Sequence, residues 1–185
     1  MTTTATMTTT RLLSPSDDAH LIPYLAALHA MCIHQDGMVA TFLPPLDSGR
    51  LLGFWRETLA AATAGTRLVA VQLDEPATGA NGGLRAVAVL RLPSADTAAH
   101  QGRLETLMVS PKARRRGAAT ALVRLLEAEA AGKGRRLILL NTAAGGPAET
   151  VCAKLGYTEY GRVPRCSISP SGAMVDDVFF YKEIA

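Results

Sequence analysis

The stretch that decides the fold is LETLMVSPKARRRGAATALVRLLE, residues 104–127. An apolar, strand-like run ends at Pro111, which cannot continue a ladder of backbone hydrogen bonds. A basic turn follows, and then small residues from Gly117 that let a ligand approach the backbone closely, and then a helical pattern. The start of a helix has unpaired N–H groups and a dipole that favours anions. The order therefore predicts a site for a diphosphate, as found in nucleotide-bearing cofactors.

The basic turn, Lys112 to Arg116, allows other interpretations. A solvated basic run is the common case, but cations at a helix start oppose the dipole unless an anion is bound. Binding to a nucleic-acid backbone is a second function, but no aromatic side chains are interleaved with the charges to stack on bases. The glycine patterns of the Rossmann and P-loop sites do not occur in the sequence. We therefore favour a diphosphate ligand and expect no nucleic-acid partner.

Composition limits the class of protein. The 185 residues are 48% hydrophobic and 5% aromatic, which predicts one domain with an aliphatic core. The net charge of +3 fits an anionic ligand or a nucleic acid and does not choose between them. The polar segment MTTTATMTTT predicts a disordered tail over 1–10, followed by a single domain over 11–185. Three cysteines without a Cys-x-x-Cys pair indicate a reducing, cytoplasmic location and no metal site. No apolar run reaches 18 residues, so we expect no membrane partner.

Hydrophobic periodicity predicts seven strands and four helices in the order β-α-α-β-β-β-α-β-α-β-β, which indicates an α/β domain with a mixed sheet. The predicted strands are 11–13, 67–73, 84–92, 103–109, 137–140, 157–163 and 175–181. The predicted helices follow Ser14, Asp47 and Gly117, and the last covers 147–156.

The segment Arg114–Ala119, RRRGAA, resembles the [QR]-x-x-G-x-[GA] motif of the GCN5-related N-acetyltransferases, the GNAT family. The similarity covers about residues 84–183, and LILLNTAAGGPAE, LGYTEYGRVP and VFFYK resemble the tabtoxin-resistance type of acetyltransferase. The resemblance implies a mixed, mostly antiparallel central sheet flanked by helices. Its two central strands, which end near Val109 and Asn141, would splay apart to admit acetyl-CoA.

The resemblance also implies which residues hold acetyl-CoA, with no metal. The backbone of two strand residues would hydrogen-bond the pantetheine arm, and the amides of 115–120 would bind the pyrophosphate behind the leading arginine of the motif. The implied cofactor-binding residues are Met108, Val109, Arg114, Arg115, Arg116, Gly117, Ala118, Ala119, Thr120 and Asn141.

Acetyl transfer to an amine requires a base. A free alkylamine has a pKa of about 10, so at neutral pH it carries a proton that must be removed before the nitrogen can attack. In tabtoxin-resistance-like enzymes two acids have this role, and they correspond here to Arg103 and Asn141, neither of which is acidic. Glu105 lies two residues along the same strand, so we predict it as the base, through a water. The alternatives are that Glu105 only pairs with a nearby arginine, and that the amine loses its proton to solvent.

Three further side chains are candidates for the site. Many family members have a tyrosine as general acid at the place of Cys152, whose thiol could protonate the CoA thiolate or simply pack in the core. Asn141 could hydrogen-bond the pantetheine or a water and is a third catalytic candidate. His34, beside the apolar loop 35–45, is predicted to line the acceptor pocket, although a lone histidine is more often structural.

Three functions follow from the resemblance. We predict acetyl transfer to a primary amine of a small molecule, such as a toxin, an antibiotic or an amino-acid-like metabolite, because the loop 35–45 could close a pocket. Acetylation of a lysine or N-terminus of a protein is the alternative. A non-catalytic CoA-binding domain is the third, since Arg103 and Asn141 replace acids. The resemblance also allows a homodimer.

Overall fold

Seven strands form one sheet in the computed structural model, which describes residues 7–38, 41–75 and 82–185. The strands are β1 Met7–Leu12, β2 Arg67–Glu75, β3 Leu84–Arg91, β4 Gln101–Val109, β5 Leu137–Ala143, β6 Thr158–Ile168 and β7 Met174–Glu183. The helices are α1 Ile22–Asp36, α2 Ser48–Thr63, α3 Ala118–Gly132 and α4 Pro147–Lys154. The predicted order of strands and helices is confirmed.

The sheet has the order β1-β2-β3-β4-β5-β7-β6, and among these seven described strands only the pair β4–β5 is parallel. The predicted mixed, mostly antiparallel sheet is therefore confirmed. Within the residues that the structure describes, no helix has the length and apolar character needed to cross a bilayer.

The start of the chain differs from the prediction of a disordered tail over 1–10. Residues 7–10 belong to β1, which begins at Met7 and pairs with Glu75 of β2. Threonines, being β-branched, favour an extended strand, and the edge of β2 gives them a partner that the sequence alone did not show. Residues 1–6 lie outside the described part of the chain.

Two hydrophobic clusters lie on opposite faces of the sheet, because side chains alternate along each strand. On one face, which we call the α1–α2 face, Val87 and Val89 pack with side chains of the first two helices. On the other, the α3 face, Ala86 and Ala88 pack with side chains of α3 and α4.

The centre of the sheet opens between its two parallel strands. β4 and β5 pair only from Gln101–Arg103 to Leu137–Leu139, although β4 continues to Val109 and β5 to Ala143. A bulge lies at the divergence, since Leu104 pairs with Leu90 but Thr106 pairs with Val89, which leaves Glu105 as the extra residue. Bulges bend a strand away from its partner. The predicted splaying is confirmed, and we call this opening the fork.

Candidate functional site

The loop between β4 and α3 has the backbone of an anion-binding turn. β4 ends at Val109 and α3 begins at Ala118. Between them Arg115 and Gly117 have positive φ angles of 58° and 81°. The start of α3 has no side-chain cap, so its first N–H groups have no side-chain partner among the described residues. Uncapped N–H groups at a helix start suit a phosphate, so this loop fits the diphosphate of acetyl-CoA. We call residues 108–120 the cradle.

Gly117 is required for its backbone angle. A Cβ built at this position would meet no atom of the chain within 4 Å, but a φ of +81° strains any residue with a side chain. Ala118 has a different reason to be small, because it is 2% exposed and packs in the cluster under α3. The expectation that both residues are small to admit a ligand was therefore incomplete.

Arg114, the leading residue of the motif, contacts α1 although its side chain is 39% exposed. Its Nη1 donates to Asp36 Oδ1 at 2.8 Å, and its Nε donates to the carbonyl of Val109 at 3.1 Å. The Asp36 carboxylate raises the pKa of Arg114 further above its ordinary value. This guanidinium thus ties the end of α1 to the end of β4. Arg115 and Arg116 are exposed and, within the described residues, have no ion pair.

Glu105, the predicted base, lies on β4 where the fork begins, and its carboxylate pairs with arginines of β2 and β3. Its Oε2 is 3.1 Å from Nε of Arg67, and its Oε1 is 2.7 Å from Nε of Arg91. The pairing that the sequence offered as an alternative is therefore present. The side chain remains 27% exposed, so a water can reach the carboxylate.

A chain of hydrogen bonds crosses the fork beside Glu105. Arg103 on β4 donates to Asn141 Oδ1 at 2.8 Å, and Asn141 Nδ2 donates to Asp177 Oδ2 on β7 at 2.8 Å. Sequence reasoning placed the first two residues at the site but missed Asp177. The signal was weak: VDDVFFYK places two acids before an apolar run, and nothing in the sequence shows which of them is buried.

Cys152, the predicted acid, is 4% exposed and belongs to the cluster under α3. Burial, and to a lesser extent the charge of Glu149, raises the pKa of the Cys152 thiol to about 11. An ordinary thiol has a pKa of about 8.5, so Cys152 would give a proton to a CoA thiolate only unfavourably. The geometry favours the packing interpretation.

His34, the predicted acceptor-pocket residue, is exposed in the last turn of α1. A different histidine contacts the loop between α1 and α2. His29 is fully buried, and its ring centroid lies 5.5 Å from that of Phe42 and 6.0 Å from that of Trp55. The structure therefore does not bring His34 together with the fork residues, and its role remains a prediction.

Solved structures share this fold. An N-acetyltransferase from Staphylococcus aureus Mu50 has a TM-score of 0.72 at 16% identity, over 97% of this chain and 99% of that one. The structure of yncA from Salmonella typhimurium, solved with its cofactor acetyl-CoA, has a TM-score of 0.70 at 17% identity, over 96% of this chain and 94% of that one. A ribosomal-protein-alanine N-acetyltransferase from Brucella melitensis has a TM-score of 0.71 at 19% identity, over 95% of this chain and 99% of that one. At these identities the likeness concerns the fold alone.

The sequence match is more specific than the likeness of folds. The model of the acetyltransferase (GNAT) family matches residues 59–157, which is more than half of the 185-residue chain. The matched range contains β4, the cradle, the fork and α4. This chain therefore belongs to the GNAT family of acetyltransferases.

Proposed function

We propose that this chain transfers the acetyl group of acetyl-CoA to a primary amine of a small molecule, in the range of toxins, antibiotics and amino-acid-like metabolites. One observation carries the proposal: the fork opens directly beside the uncapped start of α3. An acyl donor with a diphosphate on one end and a thioester on the other needs an anion site and an opening in the sheet at the same place.

The cradle is proposed to hold acetyl-CoA. The amides of 115–120 would bind the pyrophosphate, and Arg115 and Arg116 would add positive charge from solvent. The backbone of Met108 and Val109 would bind the pantetheine arm along β4, which has no strand partner on its β5 side there. Arg114 would act indirectly by fixing the end of β4 against α1.

The fork is proposed to hold the reacting groups. The amine nitrogen attacks the thioester carbonyl carbon, a C–N bond forms, the C–S bond breaks and a proton is delivered to the sulfur. Glu105 takes the proton of the amine through a water, while a backbone N–H of Met108 or Val109 stabilises the charge on the carbonyl oxygen. Asn141 lies on the opposite arm of the fork. Cys152 only packs in the core, and water supplies the proton to the sulfur of the CoA thiolate.

The charges around Glu105 favour a small acceptor over a lysine-rich peptide. Arg67 and Arg91 pair with this single glutamate, and Arg103 lies two residues before it on the same strand. A cationic protein tail would be repelled by this surplus of positive charge. Acetylation of a neutral protein N-terminus is the second candidate, since one structure of similar fold is named as an acetyltransferase of a ribosomal-protein alanine.

The test is a thiol-release assay with acetyl-CoA over amines, amino acids and peptides, together with the melting temperature (Tm) with and without acetyl-CoA. We expect acetyl-CoA to raise Tm and at least one small amine to release thiol. A rise in Tm without thiol release would favour the non-catalytic alternative, and release with peptides alone would favour the protein acceptor.

Gly117→Glu should abolish the rise in Tm with acetyl-CoA, because it places a carboxylate at the anion site. Gly132→Glu at the other end of α3 is the matched control, since a Cβ there also meets no atom within 4 Å. Gly117→Ala separates the backbone strain from the added charge. Equal shifts in the parent and in Gly117→Glu would contradict the cradle assignment.

A further inference from the structure

Asp177 is a buried acid for which the proposed reaction has no use. It is 2% exposed, and its Oδ2 accepts hydrogen bonds from Asn141 Nδ2 at 2.8 Å and from Ser167 Oγ at 2.9 Å. Its Oδ1 is also buried and has no hydrogen-bond partner in the described residues. Burying a carboxylate is costly unless it is paired, so its presence here requires a reason.

The pairing of β7 with its two neighbours, β5 and β6, brings other polar side chains to Asp177. On β7 it pairs with Ala143 of β5, on the open side of the fork beyond Asn141. On β6 the register jumps between Val163 and Ser167, where Arg165 has a positive φ of 52°. Bulges of this kind re-aim side chains, and this one brings the Ser167 hydroxyl to the carboxylate.

Asn141 has one allowed orientation because of its two neighbours. The guanidinium of Arg103 can only donate and the carboxylate of Asp177 accepts, so the amide oxygen must face Arg103 and the amide nitrogen must face Asp177. An aspartate at 141 would instead place two carboxylates at hydrogen-bond distance. The acid expected at 141 from the family resemblance is thus replaced by an amide, and the negative charge lies one strand further on.

The link Arg103–Asn141–Asp177–Ser167 crosses β4, β5, β7 and β6. It spans the sheet just where the main-chain pairing of β4 and β5 ends at Arg103 and Leu139. Arg103 has no ion pair within the described residues, whereas Arg67 and Arg91 share Glu105. The only hydrogen bond of its guanidinium that the structure shows therefore goes across the fork.

We propose that Asp177 is a positioning residue for acetyl transfer. By orienting Asn141, and through it Arg103, it sets the separation of the two arms of the fork, between which the thioester and the amine must meet. The inference rests on the proposed function. Small misplacements of reacting groups lower the rate of transfer without weakening ligand binding elsewhere. The loss of Asp177 should therefore lower kcat and leave the binding of acetyl-CoA nearly unchanged.

The kinetic test uses the acceptor found in the thiol-release assay. Asp177→Asn should lower kcat about tenfold to a hundredfold and change the KM for acetyl-CoA less than twofold, because the cradle is untouched. Ser167→Ala, which leaves the Asn141 contact in place, should have a much smaller effect.

A stability test needs no substrate. If Asp177 acts on Arg103 through Asn141, the Tm losses of Asp177→Asn and Arg103→Gln should not add in the parent chain, and should add in an Asn141→Ala background. Additive losses in the parent, or an unchanged kcat in Asp177→Asn, would overturn the positioning role. A parent chain that transfers no acetyl group would instead overturn the proposed function, and the catalytic part of this inference with it.

Discussion

At the scale of single residues, the cradle and the fork differ in how their side chains are held. The cradle depends on the positive φ angles of Arg115 and Gly117. Both residues lie in the contiguous motif of arginines and small residues, so the motif indicates where this turn is. The fork depends on contacts between distant residues, since Glu105 meets Arg67, which lies 38 positions earlier. A glutamate held by two cations keeps a fixed geometry, and this is useful to a base that works through a water.

Glu105→Gln should lower kcat by about a hundredfold or more, the usual range for loss of a general base, while the Tm shift with acetyl-CoA persists. Arg67→Gln is the matched variant, because it removes one ion pair and leaves the carboxylate. Steady-state kinetics of both variants decides between the roles. If Arg67→Gln loses as much activity as Glu105→Gln, the ion pairs matter and the base lies elsewhere.

Residue identities at the site were predictable to the extent that they are local in sequence. Gly117 and the arginines before it form a contiguous motif, so the cradle could be predicted. Asp177 could not, because its role depends on the register of β5 with β7 and on a bulge in β6. The same holds for the contact of Arg114 with Asp36, which lies 78 positions away.

At the scale of helices and strands, α1 and α2 are joined by an aromatic cluster around His29. Phe54 lies 5.4 Å from the His29 ring, and neither ring nitrogen of His29 has a hydrogen-bond partner in the described residues. Burial lowers the pKa of His29 to about 4, from an ordinary value of 6.5. The helix pair therefore needs this histidine neutral.

Acidification should loosen this helix pair. The pKa is lower in the folded state, so the stabilisation is complete above pH 6.5 and is lost as the pH falls from 6.5 towards 4. Between pH 7 and pH 5 the linkage predicts a loss of about 2 kcal/mol. Urea unfolding followed by the fluorescence of Trp55, the single tryptophan, measures it.

His29→Leu should remove most of this pH dependence, because leucine fills a similar volume and does not titrate. His20→Gln, a change at an exposed histidine, should leave it intact. The same slope between pH 7 and pH 5 in the parent and in His29→Leu would assign the pH dependence to other groups.

The positions of the helices and strands were the most predictable part, because hydrophobic periodicity is local. The start of β1 was one exception, since threonine-rich sequence without a visible partner resembles a tail. The start of α1 was another, because the helix predicted to follow Ser14 begins at Ile22, after a short 3-10 turn at Ala19–Leu21. The bulge at Glu105 was also hidden, because it exists only relative to the register of β3.

At the scale of the whole molecule, several exposed apolar side chains lie together at one edge of the sheet. Tyr160 is 57% exposed and its ring lies about 6 Å from those of Phe179 and Tyr181, and Val163 and Ile168 of the same edge strand are close to half exposed. Exposed apolar patches of this kind mark interfaces. They support the homodimer that the family resemblance allows.

We expect light scattering after gel filtration to give the mass of a dimer, and Tyr160→Lys to shift it towards the 19.5 kDa monomer. Met7→Lys is the control, because Met7 is 72% exposed but lies on β1 at the opposite edge of the sheet. A monomeric parent would contradict the dimer, and an equal response to both variants would place the interface elsewhere.

The fork also divides the sheet mechanically. Strands β1 to β4 and strands β5 to β7 form two plates, whose main-chain pairing is limited to three residues of each strand at the seam. A short seam of hydrogen bonds opens at lower free energy than a long one, so the amide hydrogens that bond across the seam should exchange with deuterium sooner than those inside either plate. The opening that admits the acyl donor thus makes the seam the weakest line of the sheet, and a donor bound across both plates would strengthen it.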